Sequence, residues 1–347
     1  MKVSVYQGNK IFETQEWPKP SPRAGEVLVK IKSVGICGSD VLGYLGKTQN
    51  RKAGIIMGHE AAGIIAELGE GVTNWNIGDR VAIYPGITCG ECEYCRKGIR
   101  HMCARGLTLG SSRGGFQHGA MCEYMVLPAK NHLMKLDDRL SFDIGALADP
   151  LGNVAHVMDR VKLKAGSTVA IMGVGSIGLI ALQMAKATGA ARVIAIDTID
   201  SRLDLAKDLG ADETINALKI DTVQEVMRLT NNVGVDMTMN AAGSDISYKN
   251  SVLITRKRGT IAAFGYSNPN GDIPIPSESF LFKELTMYGN GGMDDFEINA
   301  GLALCAAGKI NAEAIITHKY GLDNVTEAFK ILTENPKEAI KIMINID

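Results

Sequence analysis

The spacing of hydrophobic positions changes partway along the chain. Before about residue 150, short β-type runs such as 26–34 and 61–67 show regular alternation and are separated by glycine and proline, which predicts a compact, mostly β domain. From about 153 to 290, strand-like runs alternate with helical stretches, which predicts a parallel, doubly wound α/β sheet. A length of 347 residues, at about 150 residues per domain, also favours two domains.

The same patterns predict individual elements of the second region. The predicted strands are 168–172, 192–197, 235–240, 260–264 and 285–288. The predicted helices are 177–188, 201–209 and 222–229. Residues 291–347 add helical stretches at 296–307 and 325–333 and a short strand at 339–344. These last residues are too few for an independent domain, so we expect them to return to the first one.

A strand, a tight turn and a helix follow one another at residues 168–178. The turn carries Gly173, Gly175 and Gly178 in the spacing that cradles a dinucleotide. Gly173 would permit the sharp turn, Gly175 would let the backbone approach a pyrophosphate, and Gly178 would let helix and strand pack closely. The alternative is a glycine-rich loop that binds nothing.

A carboxylate supports the dinucleotide interpretation. Asp197 ends the strand 192–197 and lies 19 residues beyond Gly178, near the ~20-residue offset of a group that binds the adenosine ribose. Ser176 lies within the glycine turn, and the predicted helix begins at Ile177 with its N-terminus facing the phosphates. These residues are therefore candidates for cofactor binding.

Four of the seven cysteines are crowded into one loop-like stretch. They follow the spacing Cys89-x2-Cys92-x2-Cys95-x7-Cys103. Four thiolates on closely spaced turns can surround Zn²⁺ tetrahedrally and leave no position for substrate, which predicts a structural zinc site. The alternatives are an iron–sulfur cluster, whose ferredoxin spacing differs, or free thiols. An odd number of cysteines favours metal ligands in a reducing compartment over a disulfide framework.

Charge and hydropathy argue against several classes of function. A net charge of −1 argues against a nucleic-acid or membrane-surface partner, because such proteins usually carry a basic excess. A hydrophobic content of 46% and a charged content of 22% are typical of a soluble globular protein. The first residues do not resemble a secretory signal and no run of about 18 apolar residues occurs, so we expect a cytoplasmic location.

Two further short motifs place metal-binding side chains beside glycine. They are Cys37-Gly38-Ser39-Asp40 and Gly58-His59-Glu60. A catalytic zinc site typically uses three protein ligands of mixed N, S and O type and leaves one position for water or substrate. Taken separately, a buried cysteine and a core histidine are the commoner interpretations, so these motifs gain their weight from the combination.

With these motifs the chain resembles the zinc-containing medium-chain dehydrogenase family, whose members oxidise alcohols with a nicotinamide dinucleotide. The signature Gly58-His59-Glu60-x2-Gly63-x5-Gly69-x2-Val72 is matched at every fixed position. The Cys37 motif, the four-cysteine stretch, Gly78-Asp79-Arg80-Val81, the glycine turn and Asp197 all fall in the family's order. The likeness covers essentially the whole chain.

The resemblance implies a division of the chain and an assembly. Residues 1–152 and 291–347 would form a GroES-like catalytic domain, and residues 153–290 a Rossmann NAD-binding domain inserted between them. The fold class would be α/β. The family also implies a homo-oligomer, either a tetramer or a dimer.

Carried over position by position, the resemblance also implies a catalytic zinc site. Cys37 and His59 look like zinc ligands, and Glu60 like an adjacent ligand that can come and go. Asp149 stands where polyol-type members usually carry Glu and where ethanol-type members carry Cys, so an ethanol-type site is disfavoured. Whether Asp149 touches the metal or only holds its water stays open.

Ser39 is the candidate for the first step of proton removal. It would hand the proton of the substrate hydroxyl to the cofactor ribose; the alternative is a local turn hydrogen bond. Threonine- and ethanol-type members use a histidine shortly after the first ligand, whereas this chain has Val41-Leu-Gly-Tyr44. Either the proton leaves by another route, or His156, His118 or Tyr44 substitutes.

Three features of the Rossmann region bear on the dinucleotide. Asp197 would accept hydrogen bonds from the ribose hydroxyls and repel a 2′-phosphate, which favours NAD over NADP. Arg202 would pair with Asp197 or flank the adenine, or is a solvated helix residue. Phe264 and the run 240–243 follow later strands, at the carboxyl edge where such sheets bind ligands.

The substrate is less defined than the reaction. A carboxylate before Pro150, together with the other ligand positions, is similar to polyol and polyol-phosphate dehydrogenases, which act on secondary alcohols. Segment 149–156 looks more like L-threonine 3-dehydrogenase. A non-catalytic sensor that binds zinc and NAD is a remote alternative. Arg113, Lys47 and Arg51 are candidates for a substrate phosphate, although a solvated surface role is the simpler interpretation for each.

Overall fold

The computed structural model describes residues 1–113, 115–266 and 272–347. The chain divides into two compact units. The first unit comprises Met1–Gly152, Gly292–Ala306 and Ala312–Asp347, and the second comprises Asn153–Gly291 and Ala307–Asn311.

The described residues form strands and helices along the whole chain. The strands are β1 (Lys2–Gly8), β2 (Ile11–Glu16), β3 (Glu26–Gly35), β4 (Ile55–Ile56), β5 (Glu60–Leu68), β6 (Arg80–Ile83), β7 (Gly86–Ile87), β8 (Leu107–Thr108), β9 (Tyr124–Pro128), β10 (Leu133–Lys135), β11 (Thr168–Met172), β12 (Arg192–Asp197), β13 (Glu213–Asn216), β14 (Val235–Asn240), β15 (Thr255–Ala263), β16 (Thr286–Gly289), β17 (Ile316–Gly321) and β18 (Lys341–Asn345). The α-helices are α1 (Gly38–Tyr44), α2 (Glu93–Arg96), α3 (Phe142–Ala146), α4 (Ala148–Val161), α5 (Ser176–Ala187), α6 (Asp200–Asp208), α7 (Thr222–Leu229), α8 (Asp245–Ile254), α9 (Ser277–Phe282), α10 (Asp295–Ala306) and α11 (Val325–Glu334).

A mixed β-sheet forms the centre of the first unit. Its strand order is β10-β6-β5-β3-β18-β17, with β9 also pairing to β3, and a smaller sheet has the order β2-β1-β4. Strand β18 runs antiparallel to β3 and parallel to β17. The end of the chain therefore lies inside the first unit's sheet, beside the strand that leads to Cys37.

The hydrophobic core of the first unit includes an aromatic cluster. Phe329 on α11 is fully buried and lies with its ring 4.8 Å from that of Phe12 and 4.9 Å from that of Tyr44. Burial raises the pKa of the Tyr44 hydroxyl. Tyr44 is thus a core residue of this cluster, which removes it as a substitute for the missing relay histidine.

The second unit contains a six-stranded parallel sheet. Its order, β13-β12-β11-β14-β15-β16, is 3-2-1-4-5-6 when its strands are counted along the chain. That order and the helices between the strands are those of a doubly wound Rossmann fold, and the predicted α/β class is confirmed. The order reverses between β11 and β14, which places the glycine turn after β11 at the switch point.

The sequence pattern did not predict strand β13 and helix α8 of the second unit, because their apolar residues follow no clear period. Strand β13 has only four residues, Glu-Thr-Ile-Asn. Helix α8 buries Ser247 and Ser251 together with Tyr248, Val252 and Ile254. The two serine hydroxyls accept hydrogen bonds from the buried Asn240 amide at 3.0 and 3.1 Å. A polar interface of this kind removes the apolar periodicity on which helix prediction depends.

A short segment that was predicted to belong with the C-terminal part of the first domain lies in the second unit. Residues Ala307–Asn311 follow α10 and pack with the Rossmann unit. Gln183 on α5 holds them, because its Oε1 accepts a hydrogen bond from Asn311 N at 2.7 Å and its Nε2 donates to Asn311 O at 3.4 Å. These backbone contacts cannot be inferred from side-chain patterning.

Candidate active site

The centre of the first unit's candidate site lies where β3 ends and β5 begins. Gly35 at the end of β3 pairs with Glu60 at the start of β5, so the two motifs that flank these residues are brought together. Sγ of Cys37, an imidazole nitrogen of His59 and a carboxylate oxygen of Glu60 all lie within 4.8 Å of one another. A sulfur, a nitrogen and an oxygen donor at this spacing fit a zinc ion with one open position.

Asp149 lies near this group but is not a member of it among the described residues. It is in the first turn of α4 and is 8% exposed. Burial raises the pKa of its carboxyl to about 6; the nearby imidazole of His59 opposes this shift, and the charge of Glu60 adds to it. Asp149 is therefore a buried carboxylate near the three-residue group, and its charge interacts with His59 and Glu60.

Asp40 connects the two metal-binding motifs. Its Oδ2 accepts a hydrogen bond from Cys37 N at 3.3 Å and lies 3.5 Å from His59 Nδ1. Burial alone would raise the pKa of Asp40, but the charges of His59 and Arg51 outweigh it and hold the pKa well below its usual range. Asp40 is therefore a carboxylate that orients both candidate ligands.

Arg51 lies against Asp40, a position that the sequence motifs did not indicate. Its Nε and Nη2 lie 3.0 and 2.9 Å from Asp40 Oδ1, and Nη2 lies 3.5 Å from Ser39 Oγ. A side chain at Gly43 would collide with the Arg51 side chain, so glycine at that position makes room for it. Because its guanidinium is committed to Asp40, Arg51 does not fit the phosphate-binding role considered for it.

Lys341 is a second buried cation that the motifs did not indicate. It lies on β18, is 3% exposed, and forms an ion pair with Glu60 Oε2. Its Nζ also donates a hydrogen bond to Ile36 O at 3.0 Å. In the sequence, Lys341 stands between two isoleucines in a predicted strand. A buried charge needs a partner of opposite charge, so this position could have indicated an ion pair.

Residues 89–103 form the four-cysteine lobe, in which the four thiols lie close together. The Sγ atoms lie within 4.8 Å of one another, with separations of 4.0 Å between Cys89 and Cys95, 3.9 Å between Cys92 and Cys103, and 3.4 Å between Cys103 and Cys89. Four sulfurs bound tetrahedrally to one zinc lie about 3.8 Å apart. The spacing thus fits a single ion held by thiolates.

The backbone of the lobe prepares two of its cysteines for a metal. Hydrogen bonds from the N–H groups of Glu91 and Cys92 lower the pKa of the Cys89 thiol to about 6. Backbone N–H groups of Cys95 and Ala104 similarly lower the pKa of Cys92. Since metal ligands must be thiolates, these N–H groups favour the binding-competent form.

The glycine turn of the second unit has the close contacts that its spacing predicts. Gly173 has a φ of +87°, in the region that favours glycine. A β-carbon at Gly178 would collide with Gly173 O, so α5 and β11 approach too closely for a side chain. Helix α5 begins with Ser176 and Ile177, and its Gly175 N-cap has no side-chain acceptor, which leaves the first N–H groups of the helix for an anion.

Asp197 lies against this turn. Its Oδ2 accepts a hydrogen bond from Val174 N at 2.8 Å, and its Oδ1 accepts from Thr198 N at 2.7 Å and Ile199 N at 3.1 Å. The guanidinium of Arg202 lies beside the turn as well, with Nη1 3.9 Å from the position of a β-carbon on Gly175. Asp197 at the end of β12 and Arg202 on α6 thus both lie beside the glycine turn.

Phe264 lies at the same carboxyl edge of the parallel sheet, after the neighbouring strand β15. Its N–H donates to Asn240 O at 3.0 Å. The side chain of Asn240 fixes the turn that follows β14, because its Oδ1 accepts a hydrogen bond from Gly243 N at 2.9 Å. The residues predicted to bind the cofactor therefore share the carboxyl edge of the parallel sheet.

Comparison with known proteins assigns both units. Residues 23–138 match the alcohol dehydrogenase GroES-like domain, and residues 176–307 match the zinc-binding dehydrogenase family. The chain is 33% identical to sorbitol dehydrogenase from Bacillus subtilis over 347 residues, covering 99% of this chain and 97% of that protein. The chain belongs to the zinc-containing medium-chain alcohol and polyol dehydrogenases.

Other members of this medium-chain dehydrogenase family are similar over comparable lengths. L-threonine 3-dehydrogenase from Deinococcus deserti is 35% identical over 318 residues, which is 90% of each chain. The crystal structure of galactitol-1-phosphate dehydrogenase from Escherichia coli has a TM-score of 0.91 and 28% identity, and covers 99% of this chain and 100% of that one. Family membership confirms the predicted oxidoreductase class and its cofactors, zinc and a nicotinamide dinucleotide.

The other residues considered from the sequence as relay or phosphate-binding candidates lie in different surroundings. His118 Nδ1 accepts a hydrogen bond from Ile56 N at 3.2 Å, and its ring packs edge-on against Trp17 at 5.2 Å. Arg113 and Lys47 are exposed. His156 is buried on α4, in the second unit.

Across the described ranges 1–113, 115–266 and 272–347, no helix is both long and apolar enough to cross a membrane.

Proposed function

We propose that this chain oxidises a secondary alcohol of a small polyol or polyol phosphate and transfers the hydride to NAD. The observation that carries the proposal is the group of Cys37, His59 and Glu60, whose donor atoms lie within 4.8 Å of one another and fit an open zinc site. Likeness to a sorbitol dehydrogenase and to a galactitol-1-phosphate dehydrogenase supports a polyol substrate. The carboxylate at Asp149, where ethanol-type members carry Cys, supports it as well.

The residues of the first unit would hold the metal and the substrate. Cys37 and His59 would be zinc ligands, with the carboxylates of Glu60 and Asp149 beside them. Bound zinc supplies a Lewis acid that lowers the pKa of a coordinated hydroxyl. Asp40 restrains the backbone N–H of Cys37 and lies beside the His59 ring, so the ligands need little rearrangement to bind.

Ser39 would take the proton from the substrate hydroxyl. Its Oγ lies 3.5 Å from Arg51 Nη2, and because a guanidinium only donates, the Ser39 O–H must point elsewhere. This arrangement leaves the hydroxyl hydrogen available to a second acceptor, as a relay requires. Arg51 itself would not carry the proton, because its guanidinium stays charged.

The second unit would bind the dinucleotide, whose nicotinamide ring accepts the hydride. The pyrophosphate would lie at the N-terminus of α5, where Ser176 and Ile177 present unpaired N–H groups. Asp197 at the end of β12 would accept hydrogen bonds from the ribose hydroxyls. A 2′-phosphate would meet the same carboxylate and be repelled, which favours NAD.

A second candidate is L-threonine 3-dehydrogenase activity. The likeness to the Deinococcus deserti enzyme and the segment 149–156 favour it. The absence of a histidine shortly after Asp40 argues against it, since threonine-type members carry one there.

NADH formation separates these candidates. Zinc-loaded protein is assayed with NAD⁺ and with NADP⁺ against sorbitol, xylitol, galactitol, their phosphates, butanediol and L-threonine. We expect turnover of a polyol or its phosphate with NAD⁺. Turnover of threonine alone would favour the second candidate, and no turnover with two zinc ions bound would refute the substrate assignment.

The proposal includes a homo-oligomer, either a tetramer or a dimer, as in other members of the family. Sedimentation equilibrium of the zinc-loaded protein measures this directly. A mass equal to a single 37.1 kDa chain at all concentrations would contradict it.

A further inference from the structure

The parallel sheet of the second unit has two halves, which meet at the switch point between β11 and β14. Strands β11, β12 and β13 form the half that carries the glycine turn and Asp197, and strands β14, β15 and β16 form the other. A dinucleotide lies across such a sheet with one mononucleotide on each half. Because the proposed role of Asp197 assigns the adenosine ribose to the first half, the nicotinamide nucleotide would lie on the second.

Two turns at the carboxyl edge of the second half pack directly against each other. They are residues 241–243, the β14 turn, and residues 264–266, the β15 turn. A β-carbon at Gly243 would collide with the backbone of the β15 turn, and one at Gly265 with the backbone of the β14 turn. A β-carbon at Gly173 would collide with the β14 turn as well. The shape of this edge therefore depends on the groups that hold the two turns.

Asn240 holds both turns by hydrogen bonds and is completely buried. Its Oδ1 accepts from Gly243 N at 2.9 Å, in the β14 turn. Its backbone O accepts from Phe264 N at 3.0 Å and from Gly265 N at 2.8 Å, in the β15 turn. The side chain is itself anchored to α8, because its Nδ2 donates to two serine hydroxyls of that helix.

Helix α8 also reaches the β15 turn directly. Tyr248 on this helix is 3% exposed, and its hydroxyl donates a hydrogen bond to Gly265 O at 2.6 Å. Gly265 is thus held at its N–H by Asn240 and at its carbonyl by Tyr248. Buried polar side chains need hydrogen-bond partners, and for these two residues the partners include backbone groups of the turns.

We propose that Asn240 and Tyr248 are positioning residues for the nicotinamide half of the dinucleotide, and that they act through the β14 and β15 turns. The inference rests on the proposed binding of a dinucleotide by the second unit. A binding surface that is already held in shape loses less conformational entropy when its ligand binds. Loss of either side-chain hydrogen bond should therefore weaken binding of the nicotinamide nucleotide and leave the adenosine half unaffected.

Two affinities test this inference without reference to turnover. Isothermal titration calorimetry measures the Kd of NADH and the Kd of ADP, which lacks the nicotinamide riboside, for the zinc-loaded protein. We expect Asn240→Ala to raise the Kd of NADH about tenfold, as for one buried hydrogen bond, and to leave the Kd of ADP within about twofold of the wild type. An equal weakening of both ligands would show a merely structural role and would overturn the inference for Asn240.

Tyr248→Phe is the milder variant, because the ring stays in the core and only the hydroxyl is lost. The Kd of NADH should rise about threefold while that of ADP is unchanged. A wild-type Kd of NADH in this variant would refute the role of Tyr248. If Asn240→Ala fails to fold, Tyr248→Phe alone decides the inference.

Thr238→Val is the matched control. Thr238 lies on the same strand as Asn240 and is completely buried, but its hydroxyl bonds to that of Thr255 at 2.7 Å rather than to either turn. This variant should be less stable to urea, yet bind NADH and ADP as the wild type does. A selective loss of NADH affinity here would overturn the inference, because any buried polar loss in this half would then have the same effect.

The wild-type titration separates this inference from the proposed function. If the wild type bound neither NADH nor ADP, the dinucleotide role of the second unit would itself be wrong. If the wild type bound both and no variant changed their ratio, only the positioning role of Asn240 and Tyr248 would be refuted.

Discussion

The two candidate metal sites of the first unit differ in how their negatively charged side chains are stabilised. The four-cysteine lobe draws its ligands from 15 consecutive residues, 89–103, and stabilises thiolates with backbone N–H groups of the same stretch. The site around Cys37 and His59 lies in the interior and has two side-chain counter-charges. Arg51 is 11 residues from its partner Asp40, whereas Lys341 is 281 residues from its partner Glu60. A local motif can thus build a closed site, whereas an open site inside the core needs cations from elsewhere in the fold.

The largest expected effect is at the buried site. His59→Ala should remove one of two zinc ions and reduce kcat/KM by about 10³-fold or more, since the metal's Lewis-acid contribution is worth several kcal/mol. The thermal midpoint should change by only a few degrees, because the surrounding sheet is intact. Metal analysis by mass spectrometry, steady-state kinetics and calorimetry provide the three readouts. Retention of both zinc ions would mean that His59 is not a ligand.

Arg51→Met should have the next largest effect, on stability. It leaves Asp40 as a fully buried carboxylate without its guanidinium partner, and breaking a buried pair in this way costs about 3–5 kcal/mol. Urea unfolding of the zinc-loaded protein measures the change. Arg113→Met, which removes an exposed arginine, is the control and should be neutral. Equal stability of the two variants would show that Asp40 does not depend on Arg51.

Cys103→Ser should affect the lobe and little else. The variant should lose the other zinc ion and expose segment 89–103 to proteolysis, because a structural site of this kind folds with its metal. Limited proteolysis with mass mapping should show cleavage within the lobe at least about tenfold faster than in the wild type. Cleavage spread over the whole first unit would instead show that the lobe supports the entire fold.

The smallest effect concerns Asp143, another buried carboxylate of the first unit. Burial raises the pKa of Asp143, but hydrogen bonds from Lys319, Ser33 and Asn345 outweigh it, so the pKa is depressed in the folded chain. A depressed pKa stabilises the fold above the ordinary value of 3.8, and this stability is lost as the pH falls below it.

Lys319→Met should reduce the loss of stability between pH 5 and pH 3 by about 1 kcal/mol or less, because the lysine is half exposed. Urea unfolding at the two pH values measures it. An unchanged pH dependence would show that Ser33 and Asn345 suffice to hold the Asp143 carboxylate.

The predictable parts of the fold are those in which the pattern of apolar residues, or the spacing of metal ligands, is itself specific. Strands β11 and β12 lie at their predicted positions because each carries four consecutive apolar residues that are buried in the parallel sheet. Strand β14 also lies at its predicted position, with Val235, Met237 and Met239 buried. The four-cysteine lobe was predictable because ligand spacing alone defines it. Helix α8 was not, since serines bound to Asn240 interrupt the apolar residues on its buried face.

The candidate active site was predictable only in its ligands. Cys37 and His59 stand in recognisable motifs, but Arg51 and Lys341 are charged residues that, without coordinates, are more simply placed in solvent. Their burial follows from tertiary contacts, and for Lys341 the partner carboxylate is 281 residues away. No local pattern encodes a pair at that separation.

That separation also sets an order of events during synthesis. At about 5–20 residues per second, on the order of half a minute passes between the emergence of Glu60 and that of Lys341 from the ribosome. Throughout this interval the nascent first unit lacks the strand that completes its sheet beside Cys37, so the Glu60 carboxylate must remain hydrated or be neutralised by another cation. The final state of this centre is therefore reached only after the Rossmann unit has been translated.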